Sequence, residues 1–415
     1  MENYPELLRS RLNDPAYEYR RDSFLEFLKA PVRNYKESPT VKDYVEVADS
    51  ELERMIYAEP VNGSFEPQPD VTAHIVMVND ILTRSSVPEK SGVIITDMAT
   101  AIRENHALVE QYVYPNLGRD RTEHLINAAW RNGLFIYIPD RTDISLRVHQ
   151  ISDSRESYSQ KSVIICGKDS NVKITDIHVS QGNGNGIQGQ NIYCHVGENS
   201  TMQYSYLQDK ENTATDITYI REFMDKYARF RLFHVNHGSS RVIFTDESVQ
   251  MGESSDFRVY GVNFSSGTQK MDIRDSSFQV GTASSSDIQV RGVVTGKSST
   301  IHRGNIDLEE VARNSTGFYD SRILLLSKDG YANSKPGLMI KNANTRSKHA
   351  SSISDVDEDQ VFYLRSRGIG EAQAKRMITA GFVESLIERG GDPEMISKVN
   401  EYAEGLGVDA FLGTD

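Results

Sequence analysis

Gly167-Lys168-Asp169-Ser170 opens a phrase that returns as Gly197-Glu198-Asn199-Ser200, Gly252-Glu253-Ser254-Ser255 and Gly296-Lys297-Ser298-Ser299, with a shorter form at Gly238-Ser239-Ser240. A run of alternating apolar and polar residues follows each phrase, as at Met202, Tyr204 and Tyr206, at Phe257 and Val259, and at Ile288 and Val290. Period-two alternation is the mark of strands. Almost two hundred residues of short strands must hide their edges by closing, sandwiching or stacking. A glycine-plus-hydroxyl turn ahead of each strand suits stacked coils, each pairing with the next at about 4.8 Å. The phrases start 30, 41, 14 and 44 residues apart. That is not a simple repeat, but neither is it the even strand spacing of about 8–12 residues that a β-sandwich shows. Residues 151–345 therefore read as the core of a mainly β chain, a parallel β-helix. The glycine-rich stretch Gly182-Asn183-Gly184-Asn185-Gly186 reads as a loop within it.

Outside this core the periodicity changes. Residues 1–70 read as an N-terminal helical region and linker. Phe24, Leu25, Phe27 and Leu28 form an apolar stripe that Asp22 and Ser23 are suited to cap, and Pro31 ends the helix. Pro60, Gly63, Pro67 and Pro69 mark the linker. Residues 71–150 read as a small α/β lead-in, with strands over 74–78, 92–96 and 134–138 and helices from Asp97 and over Thr122–Trp130. Residues 346–415 read as a C-terminal helical domain. Acids at Asp357, Glu358 and Asp359 precede the first helix, Gly368 breaks it, Glu371–Ala380 is a second helix stopped by Gly381, and Pro393–Leu406 is a third.

Composition narrows the function classes. The chain has 415 residues with 46 Lys and Arg against 59 Asp and Glu, a net charge of −13. From Ser351 onward 13 acids face 6 bases, so −7 of that charge lies in the C-terminal helices. A face that neutralises phosphates needs the opposite sign, so a nucleic-acid partner is not expected. This also counts against Arg367-Gly368-Ile369-Gly370, which mimics a helix–hairpin–helix phrase. No apolar run approaches the roughly 20 residues of a membrane span, and the acidic start is no signal peptide, so a cytoplasmic protein is expected. A P-loop is absent, so the chain should not hydrolyse ATP.

Two cysteines cannot build a disulfide framework or a four-ligand zinc site. Cys166 sits among β-branched residues and reads as a buried thiol. Cys194 is followed by His195, which a strand turns to the opposite face. His234 and His237 fall on opposite faces for the same reason, and His178 and His302 have no ligand partner at close spacing.

Several phrases, in order along residues 20–415, resemble the SufB/SufD family of iron–sulfur cluster assembly scaffolds. The most specific is Phe362-Tyr363-Leu364-Arg365-Ser366-Arg367-Gly368-Ile369 after an acidic stretch, followed by Ala374, Met377-Ile378 and Gly381-Phe382. Arg291-Gly292 through Gly296, His302-Arg303-Gly304, Leu324-Leu325-Leu326-Ser327, Lys335-Pro336 and the segment Leu125–Pro139 are similar to further family phrases. The resemblance implies a right-handed parallel β-helix flanked by an N-terminal helical and α+β region and a C-terminal helical domain. It implies pairing through the β-helices with a SufB-like subunit or a second copy, and docking of a SufC-like ABC ATPase on the C-terminal helices. It also implies a transient iron–sulfur cluster shared with the partner, with none held stably by this chain alone.

Within that resemblance the chain is SufD-like. Ser321 stands where the SufB-type subunit has a cysteine, and a hydroxyl does not replace a thiolate as an iron ligand at neutral pH. His349 matches the family histidine before the C-terminal helices, while Ala350 replaces a SufB-type glutamate. His349 is thus the candidate metal and cluster ligand, an imidazole being a serviceable iron ligand. Its plainer reading is a surface or helix-capping histidine. Phe362, Tyr363, Arg365 and Arg367 are the partner-binding candidates, although Phe362 by itself reads rather as a core residue. A non-catalytic assembly subunit is the expected function. The alternatives are a β-helical carbohydrate-active enzyme using pairs among Asp246, Asp256, Asp272, Asp275 and Asp287, or a structural β-solenoid.

Overall fold

The computed structural model describes residues 14–31, 45–57, 70, 72–86, 92–211 and 213–409. The expected linker over residues 59–70 lies outside the described residues except for Asp70. Strands β1 (Ile75–Val78) and β2 (Ile81–Ser85) form a hairpin, and β3 (Ile94–Asp97) pairs antiparallel with β4 (Leu134–Ile138). The chain then alternates between two sheets. One takes β5 (Asp143–Asp153), β7 (Asn171–Gln181), β9 (Thr201–Lys210), β11 (Arg229–Gly238), β13 (Asp256–Ser265), β15 (Ser285–Val294), β17 (Thr316–Leu325) and β19 (Arg346–Asp355). The other takes β6 (Tyr158–Cys166), β8 (Ile187–Val196), β10 (Thr215–Met224), β12 (Arg241–Gln250), β14 (Lys270–Gln279), β16 (Ser299–Leu308) and β18 (Tyr331–Ile340), stacked on β4. Each strand pairs in parallel with the strand two later, which makes a β-solenoid of about 8 turns. The sequence-based expectation of a parallel β-helix is met.

The corners explain the uneven spacing of the glycine phrases. Gly167, Gly197 and Gly252 lie at one corner of the coils, and Gly238 and Gly296 at the other. A step of 30 is one coil, 14 is half a coil, and 41 and 44 are one and a half. At the first corner Arg141, Asp169, Asn199, Tyr227, Ser254, Ala283 and Asn314 all adopt positive φ between 54° and 60°. Each donates its amide to a carbonyl of the next coil, from Arg141 to Lys168 (2.8 Å) through to Asn314 to Asn344 (2.7 Å). Asp and Asn tolerate this conformation, and Tyr227 takes it at a cost of about 1–2 kcal/mol. The ladder bond offsets that cost.

Inward-facing residues form one continuous core, from Ile136 and Leu146 through Ile174, Tyr204, Phe230, Phe244 and Phe257 to Ile288, Ile306 and Tyr319. The outer faces carry the helices. On the even-numbered sheet lie α1 (Tyr17–Lys29), α2 (Asp49–Tyr57), α3 (Met98–Glu104), α4 (His106–Tyr112) and α5 (Arg121–Ala129). The last three helices are α6 (Glu358–Ser366), α7 (Glu371–Gly390) and α8 (Pro393–Asp409). α7 and α8 fold back on the odd-numbered sheet, where Val383, Leu386, Ile387, Met395 and Val399 pack on Phe233, Val235, Tyr260 and Val262.

Some local expectations are corrected. α1 begins five residues before Asp22, because Tyr19 and Arg20 are also buried, so Asp22 and Ser23 lie inside the helix and do not cap it. Phe24 and Phe27 are buried, whereas Leu25 and Leu28 face solvent. α7 runs through Gly381, where glycine costs about 1 kcal/mol in a helix, because the apolar residues beyond it are buried on the sheet. Residue 150 lies in the middle of β5, and residues 346–355 form β19, so strands overrun both expected edges of the core.

Candidate functional site

The two ends of the solenoid differ. At the first end the antiparallel strands β2 and β3 finish the sheets. At the other end β18 and β19 are the outermost strands, with no further strand beside them among the described residues. Met339 (51% exposed), Ile340, Ile353, Tyr331 and Phe318 are exposed around this end. Unpaired backbone plus exposed apolar residues is a template for edge-to-edge pairing.

His349 lies in this terminal coil. It is aligned with Tyr319 of β17, which points into the core, so His349 continues an inward-facing row that no later coil covers among the described residues. It is exposed, eight residues before the Asp357 that caps α6, so the helix-capping reading is excluded. The same row places Ser351 over Ser321. Ser321 is fully buried and meets His302 Nδ1 and Ser334 Oγ, each at 3.0 Å. Burial keeps the His302 imidazole neutral, its pKa pushed down to about 3. His302 therefore has a hydroxyl neighbour that sequence spacing could not show, since the two lie nineteen residues apart. Among the described residues no group of three or more His, Cys, Asp or Glu is arranged to hold a metal ion.

Both cysteines are buried, with burial pushing the Cys166 thiol up to about 12 and the Cys194 thiol upward as well. His195 points away from Cys194 and rests on Phe223 and Tyr112. His234 is buried with Nε2 3.0 Å from Asp275, whereas His237 faces outward and stacks on Tyr402 of α8. The interior carries further acids. Asp246 and Asp275 are neighbours on adjacent coils, and Glu222 lies against Asp246. All three are sealed inside the solenoid. Of the five candidate aspartates, Asp246 and Asp275 are the two that stand side by side in register, and their burial makes them inaccessible to a sugar.

On α6, Phe362 is 73% exposed and Tyr363 57%. The reading of Phe362 as core is wrong, because Val361 turns inward on this short helix and Phe362 follows it outward. Arg367 lies over the Tyr363 ring at 5.2 Å and donates to its hydroxyl at 3.2 Å. Arg365 reaches Glu371 at 3.4 Å. All four residues are thus exposed on or beside α6.

The molecule is thus a two-sheet parallel solenoid with an open terminal coil and helices folded along its side. Residues 149–382 match the family described as the SufBD core domain of SUF-system FeS cluster assembly. The chain belongs to this SufBD family. It is 26% identical over 352 residues to the iron–sulfur cluster assembly protein SufD of Bacillus subtilis, covering 81% of this chain and 78% of that one. It is 24% identical over 303 residues to an iron–sulfur cluster assembly SufBD family protein of Staphylococcus epidermidis, covering 71% of this chain. The match spans 65% of that relative's length. No helix among the described residues is long and apolar enough to cross a membrane.

Proposed function

We propose that this chain is a non-catalytic, SufD-like subunit of a cytoplasmic iron–sulfur cluster assembly complex. The observation that carries the reading is the last coil, where the outer edges of β18 and β19 have no strand beside them among the described residues and His349 lies in the inward-facing row. A SufB-like subunit, or a second copy of this chain, would continue the sheets from that edge and bury Met339, Ile340 and Ile353. The nascent cluster is cargo at that junction. His349 would offer it one imidazole, and the thiolate would come from the partner, since both cysteines of this chain are sealed in the core. The exposed patch of Phe362, Tyr363, Arg365 and Arg367 would receive a SufC-type ABC ATPase.

The test is anaerobic reconstitution with iron and sulfide, alone and with a cognate ATPase and a SufB-like subunit, followed by size-exclusion chromatography and visible absorption. The expected result is a stable complex that loses the ATPase with Phe362→Asp, no cluster on the lone chain, and weaker cluster absorption of the complex with His349→Ala. A monomer that binds neither subunit would overturn the reading. A stable cluster on the lone chain would overturn the assignment of the thiolate to the partner.

A further inference from the structure

A groove of about 580 Å³ lies where the turn between α7 and α8 crosses the odd-numbered sheet. Its floor is a row of outward-facing side chains in register, Lys173 of β7, Gln203 of β9 and Arg231 of β11. Two strand spacings place the Cα atoms of Lys173 and Arg231 about 10 Å apart. The roof is Gly390-Gly391-Asp392. A Cβ on Gly390 would come within 2.7 Å of Phe233 and Tyr260, so glycine is what lets the turn lie this close.

The roof is fixed without using the floor's charges. Arg147 binds Asp70 and Glu394, and Thr175 donates to Asp392 at 2.9 Å. Asp392 also caps α8 by accepting from the amides of Glu394 and Met395. Both acids of the groove are thereby engaged, and its lining holds four cations (Arg147, Lys173, Arg231, Arg389) against these two carboxylates. Lys173 and Arg231 are exposed and have no hydrogen-bond or ion-pair partner among the described residues. Arg231 also stands directly across from Arg258, a like-charge cross-strand pair that costs stability. Arg258 is relieved by Asp256, whereas Arg231 has no such partner among the described residues. In a molecule of net charge −13 this is an uncompensated positive groove.

We infer that this groove binds a small ligand carrying two oxyanion groups, phosphate or carboxylate, one held by Lys173 and one by Arg231, with the Gln203 amide between them. The volume is that of a small-molecule site, and Lys and Arg are the ordinary donors to such groups. The site goes beyond the assembly role and does not depend on it. Because the ligand would lie under the turn that carries α8, binding would brace the terminal helices against the solenoid.

The test is calorimetric titration of the full chain, without ATPase or partner, with pyrophosphate and with citrate at constant ionic strength. Saturable one-to-one binding is expected. Lys173→Gln/Arg231→Gln should weaken it at least tenfold with no fall in melting temperature, while Lys297→Gln, at an exposed corner, should leave it unaltered. Preference for pyrophosphate would assign a phosphate-bearing ligand, and preference for citrate a carboxylate-bearing one. No saturable binding of either probe, or equal binding by the double variant, would overturn the inference. Loss of ATPase docking, by contrast, would leave it standing.

Discussion

Glu222→Gln should stabilise this protein, and by an amount that depends on pH. Glu222 lies inside the solenoid between Cys194 and Ser248 of the adjacent coils, against the equally buried Asp246. Burial in this position pushes its carboxyl up from the ordinary 4.5 to about 7, and both burial and the neighbouring Glu222 push Asp246 upward. Below about pH 4.5 Glu222 is protonated in both folded and unfolded chains, and the folded state bears no penalty. As the pH rises from 4.5 to 7 the unfolded chain releases the proton while the folded one retains it, so stability falls. Above 7 the loss is complete, and at 1.36 kcal/mol per pH unit it amounts to about 3 kcal/mol. Glutamine keeps the shape without the charge. Its advantage over glutamate should therefore be small at pH 4.5 and about 3 kcal/mol at pH 8. With about 2.1 cal/mol/K of unfolding entropy per residue over 415 residues, this corresponds to about 3–4 °C in melting temperature. Thermal melts followed by circular dichroism at pH 5, 6, 7 and 8 would measure it. A shift that is independent of pH, or a variant less stable than wild type at pH 8, would refute the reasoning.

Other substitutions test the layers around the solenoid. Lys161 is wholly buried, its ammonium disfavoured by burial, with Nζ 2.8 Å from the Tyr19 hydroxyl and from Asn127 Oδ1. Tyr19 also donates to the Asn116 carbonyl, and Asn127 Oδ1 also accepts from Asn191, so Lys161→Met strands neither group and should stabilise by about 1–3 kcal/mol. Its advantage in melts should be largest at low pH and shrink as the pH approaches 10.5, where the unfolded lysine also loses its proton, the reverse of the Glu222 trend. Arg221 is buried between Glu123 and Glu247, so Arg221→Met leaves a charge unpaired and should cost about 3–5 kcal/mol in denaturant titrations. Both thiols should resist a thiol reagent in native buffer and react only when the chain is unfolded, because they are buried and held protonated. A fast-reacting native thiol would contradict the sealed core.

Two kinds of information built this picture. Local chemistry determined much of it from sequence alone: period-two alternation marks strands, glycine and hydroxyl residues mark corners, and isolated helices show their own periodicity. The β-helix, the helical ends, the buried Cys166 and the opposed faces of Cys194 and His195 were legible because neighbours in sequence decide them. The coil length was hidden, since the glycine phrases alternate between two corners and only the stacked structure shows that 14, 30 and 44 residues are multiples of half a coil. Contacts that cross coils were hidden in the same way. Glu222 meets Asp246, His302 meets Ser321, and Lys173 aligns with Arg231, across separations of 24, 19 and 58 residues. What faces inward beyond the last strand is also a tertiary matter. His349 is exposed at an open mouth because no coil is stacked on β19 among the described residues. A residue's type and its near neighbours determine which face of a strand it takes, but coil-on-coil register decides what that face meets, and that register is set by packing along the whole solenoid.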